Sequence, residues 1–371
     1  MPVLDYDAII LSGASGAVGS FLVRELTEHW PQKLICILRE PSSMDRLRKA
    51  VGDDMAARVI PVYADLTKDE DAAAAQAAVG AHHRCLAIHC AGDVSWTKSQ
   101  RLVGPINIDG TRRFAQLAVE ASRNRPAIIF LSTAFCSDDA EPRNAYEATK
   151  LQAERMLLDD FSARAYLATI RCSLVVGSQS DGWIARFNGL YPMMSLIAMA
   201  EVPCLIAERT YTVDTVPIDI VWREIELAAR QLSDADPVLR LIVASGNNAI
   251  RLAKFAEITS ARVNDTRAAA GLGALPQISI ISERQFRFLM KASKSWDMEQ
   301  QFSKVEQISD IMAGYIAHGG SGRDIEPRLL GNAMPIPESY MPSVVDYWIG
   351  RNRSRALVDR VPEWLGEEQP A

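Results

Sequence analysis

Ser12-Gly13-Ala14-Ser15-Gly16-Ala17-Val18-Gly19 follows a short apolar run, Ala8–Leu11, and leads into a helix-like stretch from Ala17 to about His29. A strand that stops at glycines and restarts as a helix opens a βαβ unit of the kind that binds a dinucleotide. Gly13 permits the tight turn, Gly16 lets the backbone approach a pyrophosphate, and Gly19 lets the helix pack close to the sheet. The N–H groups at the helix start then face the phosphates, with the positive end of the helix dipole behind them. By itself such a string can be a merely structural turn. Its place after a first strand gives it meaning.

Working outward, Leu34–Leu38, Val59–Tyr63, Cys85–Cys90, Ala127–Leu131 and Ala165–Val176 read as further strands. Between them, stretches such as Asp69–Val79 and Thr111–Arg123 carry helical periodicity. Near-continuous apolar strands alternating with helices imply a parallel sheet covered on both faces, and right-handed crossovers make it doubly wound. Beyond Gly177 the pattern changes, with a helix from about Val221 to Leu232 and a strand at Leu239–Ala244. From about Leu252 the chain reads as mainly helical and irregular, punctuated at Gly319–Gly322 and Pro335–Pro342, with a tail after Trp364 expected to fray. The expected fold class is α/β: a Rossmann-type doubly wound parallel sheet with a smaller, mainly helical C-terminal substrate-binding domain. Residues 1–180 and 215–250 are expected to form the NADP-binding domain, and residues 181–214 and 251–371 the substrate-binding domain.

Composition sets the class. The chain has 371 residues, 48% hydrophobic and 23% charged, which suits a globular protein with a large core. Its formal charge of −6 gives no support for a nucleic-acid face. The six cysteines, at 36, 85, 90, 136, 172 and 204, show neither a CxxC pair nor a histidine cluster at zinc spacing. They read as reduced, buried thiols, and no metal site is expected. Met1–Asp7 lacks the basic start and apolar run of a signal peptide. The apolar run Leu190–Ile206 is interrupted by Pro192, Glu201 and Pro203 and falls short of a membrane span, so it reads as a buried helix or tunnel wall. A soluble, cytoplasmic protein without a transmembrane segment is the expectation.

The second strand ends Ile37-Leu38-Arg39-Glu40. An NAD enzyme usually places an acid there for the ribose 2′-hydroxyl, whereas a guanidinium pairs with a 2′-phosphate and stacks on adenine. Arg39 comes first, which favours NADPH over NADH. The alternative is that Arg39 is solvated and Glu40 takes the ribose. Asp65-Leu66, after the third strand, puts an acceptor near the adenine amino group, and Asp65 also suits a helix N-cap. His89-Cys90-Ala91-Gly92 ends the fourth strand with small residues that let the backbone pass a cofactor closely, His89 itself reading as a packed strand histidine.

The strand Ala127–Leu131 runs into Ser132-Thr133-Ala134, and thirteen residues after Thr133 comes Tyr146, with Lys150 four further on. Positions i and i+4 share a helix face. The Lys150 ammonium can therefore sit near the phenol, lower its pKa and bond the cofactor ribose, making the phenol an acid usable near neutrality. A hydroxyl at a strand end reaches the same reacting oxygen. A lone YxxxK is common by chance, but in this order after a nucleotide loop it is specific.

With these residues the chain resembles the extended short-chain dehydrogenases/reductases, whose GxxGxxG spacing it shares. Several segments are similar to fatty acyl-CoA reductases and to thioester reductase domains, proteins of the male-sterility NAD(P)-binding type. They are Ile128–Cys136, Tyr146–Lys150 with Ala153-Glu154, Ile170–Val175, Gly182-Trp183-Ile184 with Asn188-Gly189, Asp214–Val221, and Asn107–Thr111. Cys172 stands where those proteins usually carry Pro. The likeness covers roughly residues 7 to 250 and fades after about 260.

The resemblance implies an NADPH-dependent oxidoreductase that reduces an acyl-CoA or carrier-protein thioester to aldehyde or alcohol. It assigns catalysis to Thr133 rather than Ser132, with Tyr146 and Lys150. The candidate cofactor set is Gly13, Ser15, Gly16, Ala17, Val18, Gly19, Arg39, Asp65, Leu66, Ala91, Gly92, Tyr146, Lys150 and Ser173. Arg186 and nearby basic residues are candidates for a basic patch facing an acidic carrier, with plain surface charge as the default reading. The other readings are an extended short-chain enzyme acting on a ketone, aldehyde or nucleotide sugar, and a non-catalytic NADP-binding regulator on the same fold.

Overall fold

The computed structural model describes residues 5–136, 141–200, 204–208, 210–293, 303, 305, 316–317, 325–331 and 334–357. Strands stand where the apolar runs are: β1 (Ala8–Ser12), β2 (Lys33–Leu38), β3 (Val59–Tyr63), β4 (Cys85–His89), β5 (Ala127–Thr133) and β6 (Tyr166–Cys172). With Val238–Val243 they form one seven-stranded parallel sheet in the order Val238–Val243, β6, β5, β4, β1, β2, β3. The chain order reverses between β1 and β4, which places a crevice at the carboxyl ends of those two strands.

Burial explains the unbroken apolar runs. β1, β4 and β5 are buried along their whole length. Successive side chains alternate faces, so Ile9 and Leu11 enter one core while Ala8 and Ile10 enter the other. The first core takes Phe21, Leu22 and Leu26 from the helix Ala17–His29 and Ile225 from the helix Ile218–Gln231. The second takes Phe114 and Leu117 from the helix Gly110–Glu120 and Met156, Leu157 and Phe161 from the helix Ala145–Phe161. Pro61 sits in β3 at the sheet edge, where a missing N–H leaves no central ladder bond broken.

The apolar run Ala165–Val176 divides at Ser173. β6 stays in the main sheet, whereas Leu174–Val176 leaves it to pair with Thr215–Pro217. Both halves are apolar, so hydropathy gives no sign of the break. Its cause is a change of acceptor: the Ser173 N–H goes to Val243 and the Leu174 N–H to Asp214.

The later part of the chain holds the helices Tyr191–Ala198, Leu252–Ala269, Glu283–Ser293 and Pro337–Arg351. The sequence reading of Pro335–Pro342 as punctuation is corrected here, because Pro342 lies inside the last of these. An interior proline costs about 3 kcal/mol. Burial of Tyr340, Met341, Val344, Val345, Trp348 and Ile349 at helical spacing outweighs it. Small ladders also appear where a mainly helical region was expected: Cys204–Ile206 pairs with Ser279–Ile281, and Thr212–Val213 with Ile250–Arg251 and Ile316–Ala317. Strands of two or three residues are too short to show a period. Among the described residues no helix is long and apolar enough to cross a membrane. Gly319–Gly322, the tail after Trp364, and Met1–Leu4 lie outside the described residues.

Candidate active site

The crevice between β1 and β4 is an open cleft of about 270 Å³. Ser12, Gly13, Ala14, Ser15 and Gly16 form one wall, Arg39, Glu40, Ser43 and Arg46 a second, and Cys90, Ala91 and Gly92 the floor. Asp65, Leu66, Thr67, Ile106, Gly110 and Arg186 also line the cleft, with Ile37, Leu38, Ala64 and His89. Backbone crowding shows why glycine is needed here. Gly13 has φ +75°, and a Cβ on it would stand 2.5 Å from the Ala91 nitrogen. A Cβ on Gly19 would stand 2.1 Å from the Gly13 carbonyl oxygen. Gly19 therefore lets the helix Ala17–His29 press its N-terminus against the turn without lining the cleft itself. This backbone cradle, ending at a helix start, fits the diphosphate of a dinucleotide.

The strand-end acids are engaged locally. Glu40 accepts from the Ser42 hydroxyl at 2.6 Å and pairs with Arg46 at 3.5 Å. The Ser42 bond, followed by Arg46, holds its carboxyl below the usual range. Asp65 accepts from the Thr67 N–H at 3.0 Å and the Thr67 hydroxyl at 2.8 Å, closing an Asx-turn. The following helix, Asp69–Val79, has Lys68 at its N-cap, so the N-cap expected of Asp65 is not made.

Thr133 ends β5 and is buried, its hydroxyl oxygen accepting from the Phe135 N–H at 3.3 Å. Tyr146 is the second residue of the helix Ala145–Phe161 and is half-buried. That helix starts where it does because Asn144 caps it, its side chain accepting from the Glu147 N–H at 3.0 Å. Lys150, one turn on, is 4% exposed. Its ammonium donates to the Leu131 carbonyl at 2.7 Å and lies 4.4 Å from the centre of the Phe130 ring. Burial brings its pKa down to about 8, although Cys90, Glu154, Cys136 and Cys172 pull the other way.

The cleft floor meets this helix at Gly92, where a Cβ would stand 3.4 Å from the Lys150 nitrogen and 3.2 Å from Asn107 Oδ1. Asn107, wholly buried in the π-helical turn Pro105–Asp109, holds the two parts together. It accepts from the Asp93 N–H at 2.8 Å and donates to the Asp93 carbonyl and the Thr149 hydroxyl, each at 3.0 Å.

Behind it runs a second chain of bonds. His89 lies between the Ser12 hydroxyl at 2.6 Å and the Thr111 hydroxyl at 2.9 Å. Thr111 donates its own proton to the Asn107 carbonyl, so it accepts from His89 Nε2–H, and Nδ1 accepts from Ser12. Burial, with the Lys150 charge second, pushes His89 down to about 3, so it is neutral at any ordinary pH. The reading of His89 as a packed strand histidine is borne out.

Of the sequence candidates, Gly13, Ser15, Gly16, Arg39, Asp65, Leu66, Ala91 and Gly92 line the cleft. Ala17, Val18, Gly19, Thr133, Tyr146, Lys150 and Ser173 are not among its lining residues, and Ser173 is buried at the end of β6. Arg46 and Ser43 were missed, one turn into a helix with no distinctive spacing. Asn107 was quoted only within a motif; its burial in a loop-like segment is the signal that sequence does not display. Arg186, a candidate for a carrier-facing basic patch with surface charge as the default reading, is exposed and also lines the cleft.

The sequence matches the family described as male sterility protein over residues 11–143 and 138–225, more than half of the chain. The chain belongs to that family. It is 26% identical over 241 residues to isonitrile lipopeptide synthase of Streptomyces coeruleorubidus, covering 57% of this chain and 16% of that protein. It is 22% identical over 271 residues to fatty acyl-CoA reductase 1 of Xenopus laevis, covering 57% of this chain and 52% of that protein. The chain thus matches about half of the frog relative and a small part of the synthase.

Among solved structures, the terminal R domain from the myxalamid PKS-NRPS biosynthetic pathway aligns with a TM-score of 0.65 at 16% identity, covering 94% of this chain and 92% of that one. A thiolation-reductase di-domain from an archaeal non-ribosomal peptide synthetase aligns with a TM-score of 0.68 at 17% identity, covering 95% and 77%. At such identities the alignments establish the shared fold.

Proposed function

We propose that the protein is an NADPH-dependent reductase of acyl thioesters, carried on CoA or on a carrier protein, that forms an aldehyde or an alcohol with Thr133, Tyr146 and Lys150 as its catalytic residues. The observation that carries this reading is the abutment of the cleft floor, at Gly92, on the buried Lys150 ammonium. A dinucleotide laid along the glycine cradle ends its run at that lysine and at the tip of β5. The thioester class is supported by the frog relative, named for a fatty acyl-CoA. The carrier alternative is supported by the structural neighbour in which a thiolation domain is joined to a reductase domain. NADPH over NADH is supported by Arg39 and Arg46 beside the end of β2, while Glu40 is taken up by Ser42 and Arg46. All six cysteines are thiols, which supports a cytoplasmic setting.

NADPH, when bound, supplies the hydride that adds to the thioester carbonyl carbon. Thr133 and Tyr146 hydrogen-bond the carbonyl oxygen and stabilise the charge that develops on it. Tyr146 gives that oxygen its proton, forming a hemithioacetal, and Lys150 holds the resulting phenolate by its positive charge. The hydroxyl proton then returns to Tyr146 as the C–S bond breaks, and the sulfur leaves as a thiolate that takes a proton from solvent. Aldehyde and thiol are the products. One turnover consumes one NADPH and one proton. Residues 181–214 and 251–371 are assigned to the acyl group.

The test is incubation with NADPH and a panel of acyl-CoA, acyl-pantetheine and aldehyde substrates, with products identified after a single turnover. Aldehyde and free thiol in equal amounts are expected. NADPH oxidation with aldehydes alone would replace the thioester reading with a simple carbonyl reductase.

The titration of Lys150 gives a further expectation. Its folded pKa is depressed to about 8, so the ammonium is present below that pH and lost above it. kcat/KM, which reports the free enzyme, should fall as pH rises through about 8. A Lys150→Arg variant, charged throughout, should lose this alkaline limb in whatever activity it retains. A profile level to pH 10 in the unsubstituted enzyme would mean that the ammonium plays no part.

A further inference from the structure

One feature of the nucleotide cleft lies outside the β1–β4 crevice and its glycine turn. Arg186 reaches the cleft from the segment 177–190, which follows the strand Leu174–Val176. Two glycines fix the course of this segment. A Cβ on Gly177 would stand 2.0 Å from the Gly182 carbonyl oxygen. Gly182 has φ +68°, and a Cβ there would stand 2.2 Å from the Ser343 carbonyl oxygen on the helix Pro337–Arg351. Trp183 lies under the Arg24 guanidinium at 4.4 Å and 5.9 Å from the Phe21 ring, both on the first helix. Phe187 packs 4.9 Å from Tyr191. Gln179 is tied to Asp219 by two hydrogen bonds, of 3.2 and 2.7 Å. A loop anchored on four helices presents Arg186 in a defined place.

What Arg186 meets there is another cation. It lines the same cleft as Arg39 and Arg46. Partial desolvation of its guanidinium, and after it the Arg46 charge, lowers its pKa from the ordinary guanidinium value. Arg46 is held by Ser42, Ser43 and Glu40, and the Arg39 charge acts on Glu40, Asp65 and Asp93. Among the described residues the Arg186 guanidinium has no hydrogen bond or ion pair. Guanidinium groups lining one cleft, close enough for one to act on the other, repel unless an anion lies between them.

We propose that Arg186 is a binding residue for the 2′-phosphate of the dinucleotide, completing a clamp whose other arms are Arg39 and Arg46. This rests on the NADPH reading and goes beyond it, because it assigns cofactor selection to a residue outside the β2 end. The 2′-phosphate is preferred to the diphosphate because Arg46 stands with Ser43 beside the β2 end, where the adenosine ribose lies. The diphosphate belongs at the Gly13–Gly16 turn. The clamp also ties cofactor binding to the segment 177–190, and through Gly182 to the helix Pro337–Arg351.

The experiment is calorimetric titration of 2′,5′-ADP and ADP into the full chain and into its Arg186→Gln variant. The exposed position of Arg186 leaves the core untouched. For the unsubstituted protein, tighter binding of 2′,5′-ADP than of ADP is expected, and equal binding would overturn the NADPH reading itself. In Arg186→Gln, affinity for 2′,5′-ADP should fall by roughly ten- to a hundredfold, the size of a lost charge-assisted contact, with a much smaller loss for ADP. Given a preference in the unsubstituted protein, a loss for ADP as large as or larger than that for 2′,5′-ADP, which has a single phosphate at its 5′ position, would place Arg186 on the 5′-phosphates and overturn the clamp. Unchanged binding of both, with a raised KM for a carrier-bound thioester, would also overturn it and return Arg186 to the carrier.

Discussion

Tyr146→Phe should lower kcat by roughly 10²–10⁴-fold while leaving dinucleotide affinity nearly unchanged. The substitution removes one hydroxyl and keeps the ring, so packing at the start of the helix Ala145–Phe161 is preserved. The cap that sets this start, Asn144 to the Glu147 N–H, does not involve the phenol. Lys150 remains held by the Leu131 carbonyl and the Phe130 ring. The expected loss is that of proton donation and of one of two hydrogen bonds on the reacting oxygen, the other being that of Thr133. Stopped-flow turnover beside fluorescence titration of NADPH separates the two quantities. Full activity would remove Tyr146 as the acid. A parallel collapse of cofactor binding would mean that it holds the nucleotide rather than the proton.

The parts of the molecule legible in the sequence are those whose physics is local and repeated. The centre of the sheet was readable because β1, β4 and β5 are buried on both faces and so carry continuous apolar runs. The helix Asp69–Val79 and the strand Val59–Tyr63 fall on the expected residues. The glycine turn was readable because a positive φ and close backbone approach leave few residue choices. The split at Ser173 was invisible because it depends on which carbonyl a backbone N–H finds, and both sides are equally apolar. The helix around Pro342 contradicts a local rule, and only the burial of its other face explains it. Arg186 shows the limit most clearly. Its sequence neighbours mark it as a loop arginine, and what it faces is set by Gly182 against Ser343, more than 150 positions away.

Asn107→Ala tests whether the cleft floor at Gly92 and the helix Ala145–Phe161 are held as one piece. Asn107 makes three hydrogen bonds from a wholly buried site, two to the Asp93 backbone and one to Thr149. Removing it strands a backbone N–H and a carbonyl at Asp93, next to Gly92, where a Cβ would meet the Lys150 nitrogen at 3.4 Å. The cost in stability should be about 1–3 kcal/mol, that of buried groups left without partners. The cost in catalysis should be larger, with kcat/KM falling about 10²-fold, the scale expected when reacting groups are misplaced by about 1 Å.

Thr149→Val separates the two contributions. It deletes the acceptor of one Asn107 bond and leaves the Asp93 pair intact, so it should cost less than Asn107→Ala on both measures. If the bond between them is what aligns Lys150, the double variant should be no worse in kcat/KM than Asn107→Ala alone. Strict additivity of the two losses would show that Asn107 supports the loop and Thr149 the helix independently. Alignment of the lysine would then rest on the Leu131 carbonyl and the Phe130 ring.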